Sequence, residues 1–247
     1  MLNCLTADIR RVLKKKSYII LALVELLLIV GAAVVAFFFH KDGIDTAFSL
    51  AVGFALLPLI FLVGVPVFLA VFSDDFKSKA MQTSIGHGIS RQEIVICRFL
   101  EVTIIIAQAL FLYSAVIFGL SIWLDVSRHV FWEQMKILWE NGLQLLCYSN
   151  IAMIVVFMEQ KSTMGLVLFI LLSTSVVSGI LTLVSQFKIF AEHNIDFSVI
   201  TVETLINKAN DSSFAFAPLM WVALAAGYIV LPIILSILIF RHKELEF

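Results

Sequence analysis

Two carboxylates, Glu25 and Glu101, lie within or at the edge of long apolar runs, and Gln108 follows Glu101 by seven residues. An ionisable side chain in a membrane helix costs roughly 2.5 to 3.5 kcal/mol near the centre, somewhat less toward the interface, so each must face protein, water or a partner. Two readings stand for Glu25: part of a translocation route, or a carboxylate that snorkels or pairs with a neighbouring Lys or Arg. Seven residues on a helix bring Glu101 and Gln108 near the same face. There they either line an inward-facing cavity or hydrogen-bond between packed helices.

Bond-making chemistry finds no support in the sequence. It contains no G-x-x-x-x-G-K-[ST] loop to cradle nucleotide phosphates, no H-E-x-x-H, no nucleophile elbow and no carboxylate pair within one membrane helix. Cys4, Cys97, Cys147 and His129 lack metal-ligand spacing, and the odd cysteine count gives no disulfide framework. No catalytic, cofactor-binding or metal-binding residue is assigned, and any ATP that drives the protein must be hydrolysed by another polypeptide.

The polar residues that remain concentrate in one interval, Ser73 to Arg98, reading SDDFKSKAMQTSIGHGISRQEIVICR. Ser73, Asp74 and Asp75 suit a helix start, placing side-chain acceptors and negative charge on the first turn. A short amphipathic helix through about Gln82 would follow, with Phe76, Ala80 and Met81 apolar and Lys77 and Lys79 charged. Gly86 and Gly88, which permit backbone angles denied to other residues, predict a turn over Ile85 to Ile89. Ser90 and Glu93 then form the S-x-x-E pattern of a capping box, with Arg91 between them.

The elements that flank this interval are apolar. The chain has 247 residues, 61% of them hydrophobic and 14% charged, with a mean hydropathy of +1.04. Soluble domains are nearer a quarter charged, so this is an integral membrane protein. A helix needs about 20 apolar residues to cross the hydrocarbon. Six stretches qualify or nearly so: Ser17 to Phe39, Ala47 to Phe72, Phe99 to Leu124, Gly142 to Met158, Ser162 to Val184 and Pro218 to Phe240. The first has too long an apolar run for a cleaved signal peptide.

The Lys and Arg residues orient these spans. With the N-terminus inside, twelve of the 17 cations fall on inner segments, and only Lys41, Arg128, Lys136, Lys188 and Lys208 fall outside. The same assignment puts Trp123, Trp132, Trp139 and Trp221 at or beyond the outer boundary, where amphipathic rings are favoured. Both termini are therefore expected in the cytoplasm. The net charge of −1 points to no nucleic-acid partner.

Smaller elements complete the pattern. Leu2, Leu5, Ile9 and Val12 form one stripe of a basic amphipathic helix, which either lies in the inner interface or serves only to set topology. Pro58 and Pro66 predict kinks in the second span. The stretch from Asp125 to Asn141 is expected along the outer interface before the fourth span, and Glu159, Gln160 and Lys161 as a tight inner turn. Between the fifth and sixth spans, Phe187, Phe190 and Ile195 and then Val202, Leu205, Ile206 and Ala209 predict two short amphipathic helices.

Six spans in about 250 residues, the basic interfacial start, Gly88-Ile89-Ser90-Arg91 before the third span and the exit Phe240-Arg241-His242-Lys243-Glu244-Leu245 together resemble the ABC-2 type permeases of bacterial ABC exporters. The likeness covers the whole chain in architecture, while its local motif is short. It implies one all-α transmembrane domain over residues 1–247 in the bacterial cytoplasmic membrane, with a coupling helix between spans two and three and short extracellular helices between spans five and six. It also implies a cytosolic ATPase subunit that binds ATP and Mg, and a second permease copy, identical or different. The contact surface with the ATPase would be Asp74, Asp75, Phe76, Lys77, Lys79, Ala80 and Met81, followed by the turn and cap at Gly86, Gly88, Ser90, Arg91 and Glu93. Compact members of this family suggest amphipathic or antimicrobial peptides as cargo, as in bacteriocin-immunity and phenol-soluble-modulin exporters, with lipid or a small hydrophobic drug as the alternative. A membrane protein that transports nothing, an immunity, sensor or anchoring subunit, is the reading from another class.

Overall fold

The computed structural model describes residues 2–39, 43–77, 85–86, 88–174, 176–187, 197–210 and 216–243. Among them the secondary structure is helical, with no strand. In chain order the α-helices are α1 (Leu2–Leu13), α2 (Lys16–Phe39), α3 (Ile44–Leu56), α4 (Val65–Lys77), α5 (Arg91–Trp123), α6 (Arg128–Glu159), α7 (Ser162–Ser173), α8 (Val176–Ser185), α9 (Val202–Asn210), α10 (Ala217–Ala225) and α11 (Leu231–His242). Five helical stretches are long and apolar enough to cross a membrane, and α7 with α8, inclined by 60°, make a sixth if taken as one span. A multi-pass membrane protein is the class that this defines.

Proline decides where these helices are interrupted. Pro58 has no N–H to donate, so the α3 ladder ends and both Phe61 and Leu62 donate to the Pro58 carbonyl, 2.9 Å each. A π-helical turn, Ile60–Gly64, then leads into α4 and Pro66. The last span repeats the device with a π-helical turn at Ala226–Val230 just before Pro232. The break between α7 and α8 has another cause. Ser173 and Thr174 turn their hydroxyls back onto the carbonyls of Ile170 and Leu171 at 3.0 to 3.1 Å, which loosens the ladder there.

Two sequence expectations change. The stretch from Asp125 to Asn141 is no separate interfacial segment: after a turn in which Asp125 takes φ +54°, α6 runs unbroken from Arg128 to Glu159. Gly142 does not break it, because a helix tolerates an isolated glycine and this one meets Leu110, whose methyl groups fill the place of a side chain. Nor does a new helix start at Ser73 to Asp75. With neither Gly nor Pro to stop it, α4 continues through those residues to Lys77.

The chain divides into two compact units, Met1–Val71 with Leu100–Leu145, and Phe72–Phe99 with Leu146–Phe247. In the first unit α2 and α3 pack along each other. Polar rungs tie α3 to α6: Gln134 donates to Ser49 Oγ at 3.2 Å, and Asn141 donates at 3.4 Å to the Leu56 carbonyl at the end of α3. Asp45 accepts the Ser127 backbone N–H at 2.8 Å. Leu5 and Val12 of the α1 stripe are buried and Ile9 is half-buried.

In the second unit Pro232, Ser236 and Phe240 form the buried edge of α11, and the Phe240 ring stacks on Phe157 at 4.9 Å. The expected stripe Val202, Leu205, Ile206 and Ala209 is the buried face of α9, which packs on α10. A 3-10 turn, Phe197–Ile200, precedes it, and Phe190 and Ile195 of the other predicted helix lie outside the described residues. Buried Asn150 donates at 3.5 Å to Tyr228 O within the π-turn, and the Tyr228 hydroxyl bonds to Ile200 O. Cys97 and Cys147 are both buried.

Candidate functional site

Arg91 opens α5. At about 1.5 Å per residue that 33-residue helix spans roughly 50 Å, well beyond the ~30 Å hydrocarbon core. Part of the helix must therefore reach beyond that core or the helix must tilt. The capping box forms at its start as its sequence predicts: Ser90 N and Oγ donate to Glu93 Oε2 at 2.9 and 3.0 Å, and Glu93 N donates to Ser90 Oγ at 3.2 Å. Gly88 makes the preceding turn with φ +87°, its N–H on the Ile85 carbonyl at 2.9 Å. Gly86 is helical and does not use the left-handed conformation its type allows.

With the cap holding the helix end, Arg91 reaches the far end of the chain. Its Nη1 donates to the carbonyls of Phe240 at 3.0 Å, Arg241 at 3.3 Å and Lys243 at 2.6 Å. The last carbonyls of a helix have no partner within it and carry its negative dipole end, so a guanidinium satisfies and neutralises them together. The same guanidinium lies 5.7 Å from the Phe240 ring centroid, within cation–π range. Lys243 in turn bonds to Met158 O near the end of α6. One cation thus joins the start of α5 to the exit of α11, with Lys243 extending the junction to α6. The sequence identified Arg91 as a turn residue and missed this role, which a separation of about 150 residues concealed.

The remaining predicted site residues fall in three places. Asp74, Asp75, Phe76 and Lys77 form the last turn of α4, whereas Lys79, Ala80 and Met81 lie outside the described residues. Glu101 is fully buried beneath α1, its Oε1 4.0 Å from Arg11 Nη2, while Arg11 lies 3.7 Å from Asp8 on its own helix. Gln108, on nearly the same face of α5, is exposed and lines a cavity of about 490 Å³ with Leu13, Tyr18, Ala22 and Leu26. The two residues share a face but not an environment: α1 covers one, and the cavity opens over the other.

Glu25 is also fully buried, and neither of its carboxylate oxygens accepts a hydrogen bond from the described residues. Of the alternatives expected for it, pairing with a Lys or Arg is not found among the described residues. One turn earlier, the Ala22 carbonyl accepts the hydroxyl of fully buried Tyr113 at 3.2 Å. No group of three or more His, Cys, Asp or Glu among the described residues could hold a metal ion.

Set against models of known protein families and against curated protein sequences, the chain matches none.

Proposed function

We propose that the chain is the membrane permease subunit of an ATP-driven exporter in a bacterial cytoplasmic membrane, with six spans, both termini inside, and amphipathic peptides as cargo. Two copies, or this chain and a related one, would form the pathway, and a separate cytosolic ATPase would seat against Asp74 to Met81. The observation that carries this reading is the Arg91 junction. A push on the polar interval between α4 and α5 meets a capped helix end whose first residue grips the exit of the last span, so displacement there moves two spans. A polar loop that only connected two spans would need no such grip. The Pro58 and Pro66 breaks give the second span a joint at which its α4 part can tilt.

The test is co-purification with the ATPase encoded beside the chain, before and after Phe76→Asp with Met81→Asp. The double variant is expected to insert normally and lose the ATPase. Undiminished association would remove the coupling assignment. If the native chain captures no ATPase, the immunity, sensor or anchoring reading takes its place. Stimulation of ATP hydrolysis by a cationic amphipathic peptide in the reconstituted pair tests the cargo separately.

A further inference from the structure

A groove runs along α5 and α6 within the first unit, beginning at the turn that joins them. Two adjoining cavities form it, of about 460 and 600 Å³, and they share Phe118, Phe131 and Trp132. The cavity at the turn is polar at its mouth, with Ser121, Asp125 and Arg128. The deeper one is walled by Phe111, Ala115, Met135 and Trp139, with Ser114 and Lys136 its polar members. From Arg128 to Trp139 the helix rises roughly 16 Å. That is close to the ~15 Å depth of one leaflet of the hydrocarbon core.

We propose that this groove binds one zwitterionic phospholipid, its acyl chain along the aromatic wall and its headgroup between Asp125 and Arg128. Phe111, Phe118 and Trp132, each more than half exposed, form an apolar wall on two helices long and apolar enough to cross a membrane, a surface that an acyl chain suits. The headgroup choice follows from charge. His129 lies 3.6 Å from Glu133 and Lys136 3.8 Å from Glu140, so each already has a carboxylate beside it on α6. Asp125 and Arg128 are exposed, line one cavity and carry opposite signs, which complements a phosphate and an ammonium on one headgroup. An anionic lipid would satisfy Arg128 but face Asp125.

Trp132 reports occupancy through quenching by brominated acyl chains. In the full-length chain, with Trp123, Trp139 and Trp221 changed to Phe, brominated phosphatidylethanolamine in a phosphatidylglycerol bilayer is expected to quench Trp132 about threefold more than the converse mixture at equal mole fraction, a preference of the size that exposed charge pairs give. Brominated phosphatidylcholine shows whether the ammonium must be a primary amine. Asp125→Ala with Arg128→Ala should abolish the preference, and Ala115→Phe, which narrows the groove, should reduce quenching by every lipid. Equal quenching by both headgroups, or a preference for the anionic one, overturns the proposal. So does unquenched Trp132, which would mean that protein, such as a second copy or a peptide, covers the groove. If the triple replacement does not fold, mass spectrometry of the native chain released from mixed bilayers decides by the same criterion: phosphatidylethanolamine retained over phosphatidylglycerol, and the preference lost in the Asp125/Arg128 double variant.

Discussion

Arg91 and Glu25 mark the two extremes of how this chain treats charge. Arg91 serves three carbonyls with one nitrogen, so truncating it leaves the last turn of α11 unsatisfied. Arg91→Ala should lower stability in detergent by ~1.5 to 3 kcal/mol, the range for hydrogen bonds to charged groups, read as a drop in Tm. Arg91→Lys should recover part of that, since an ammonium can still donate to the carbonyls but loses the planar guanidinium. Glu25 has the opposite profile, a buried carboxylate whose oxygens accept no hydrogen bond from the described residues. Glu25→Gln keeps the shape and removes the ionisable group, so it should leave Tm unchanged or raise it. A fall of more than ~1 kcal/mol would mean that the carboxylate has a structural partner. Loss of peptide export at unchanged Tm would place Glu25 on the transport route.

At the scale of elements, the helices are shaped by a few backbone facts. The break at Pro58 and Pro66 and the left-handed Gly88 are readable from residue type, whereas the π-turn before Pro232 and the bend between α7 and α8 are not expected from the sequence. Nor is the close approach of α5 and α6 at Gly142. There a Cβ would overlap the Leu110 side chain, so Gly142→Ala should cost ~1 to 3 kcal/mol by overpacking, and Leu110→Ala in the same chain should return part of it. A purely additive double variant, followed by thermal unfolding, would contradict that packing. Gly88→Ala should cost ~1 kcal/mol, because the alanine Cβ is disfavoured at φ +87°.

For the whole molecule, the topology expected from the distribution of Lys and Arg is one that labelling can check. With Cys97 and Cys147 buried, a membrane-impermeant thiol reagent finds little native background there, and replacing Cys4 removes the third thiol. Lys161→Cys should react only from the cytoplasmic side and Lys208→Cys only from outside. The opposite result at both positions would invert the molecule and place the Ser73 to Arg98 interval where no ATPase reaches it. The long α6 bears on the same question. At 32 residues it is one continuous helix, so Trp132 and Trp139 belong to the same helix as the apolar run after Gly142 and not to a separate surface helix.

Composition, with 61% hydrophobic residues and few charges, pointed to a membrane protein, and apolar runs of about 20 residues pointed to helices, because such runs are far longer than the strands of a barrel need. Local pattern determined the capping box at Ser90 and the buried stripe of α9, since both depend on residues three or four apart. Only the tertiary structure decided what the polar residues meet. Arg91 found carbonyls some 150 residues away, Glu101 came under Arg11, Gln108 opened onto a cavity, and Glu25 was buried with neither oxygen hydrogen-bonded by the described residues. Helical periodicity says which face a residue occupies, but what covers that face depends on the packing of distant helices.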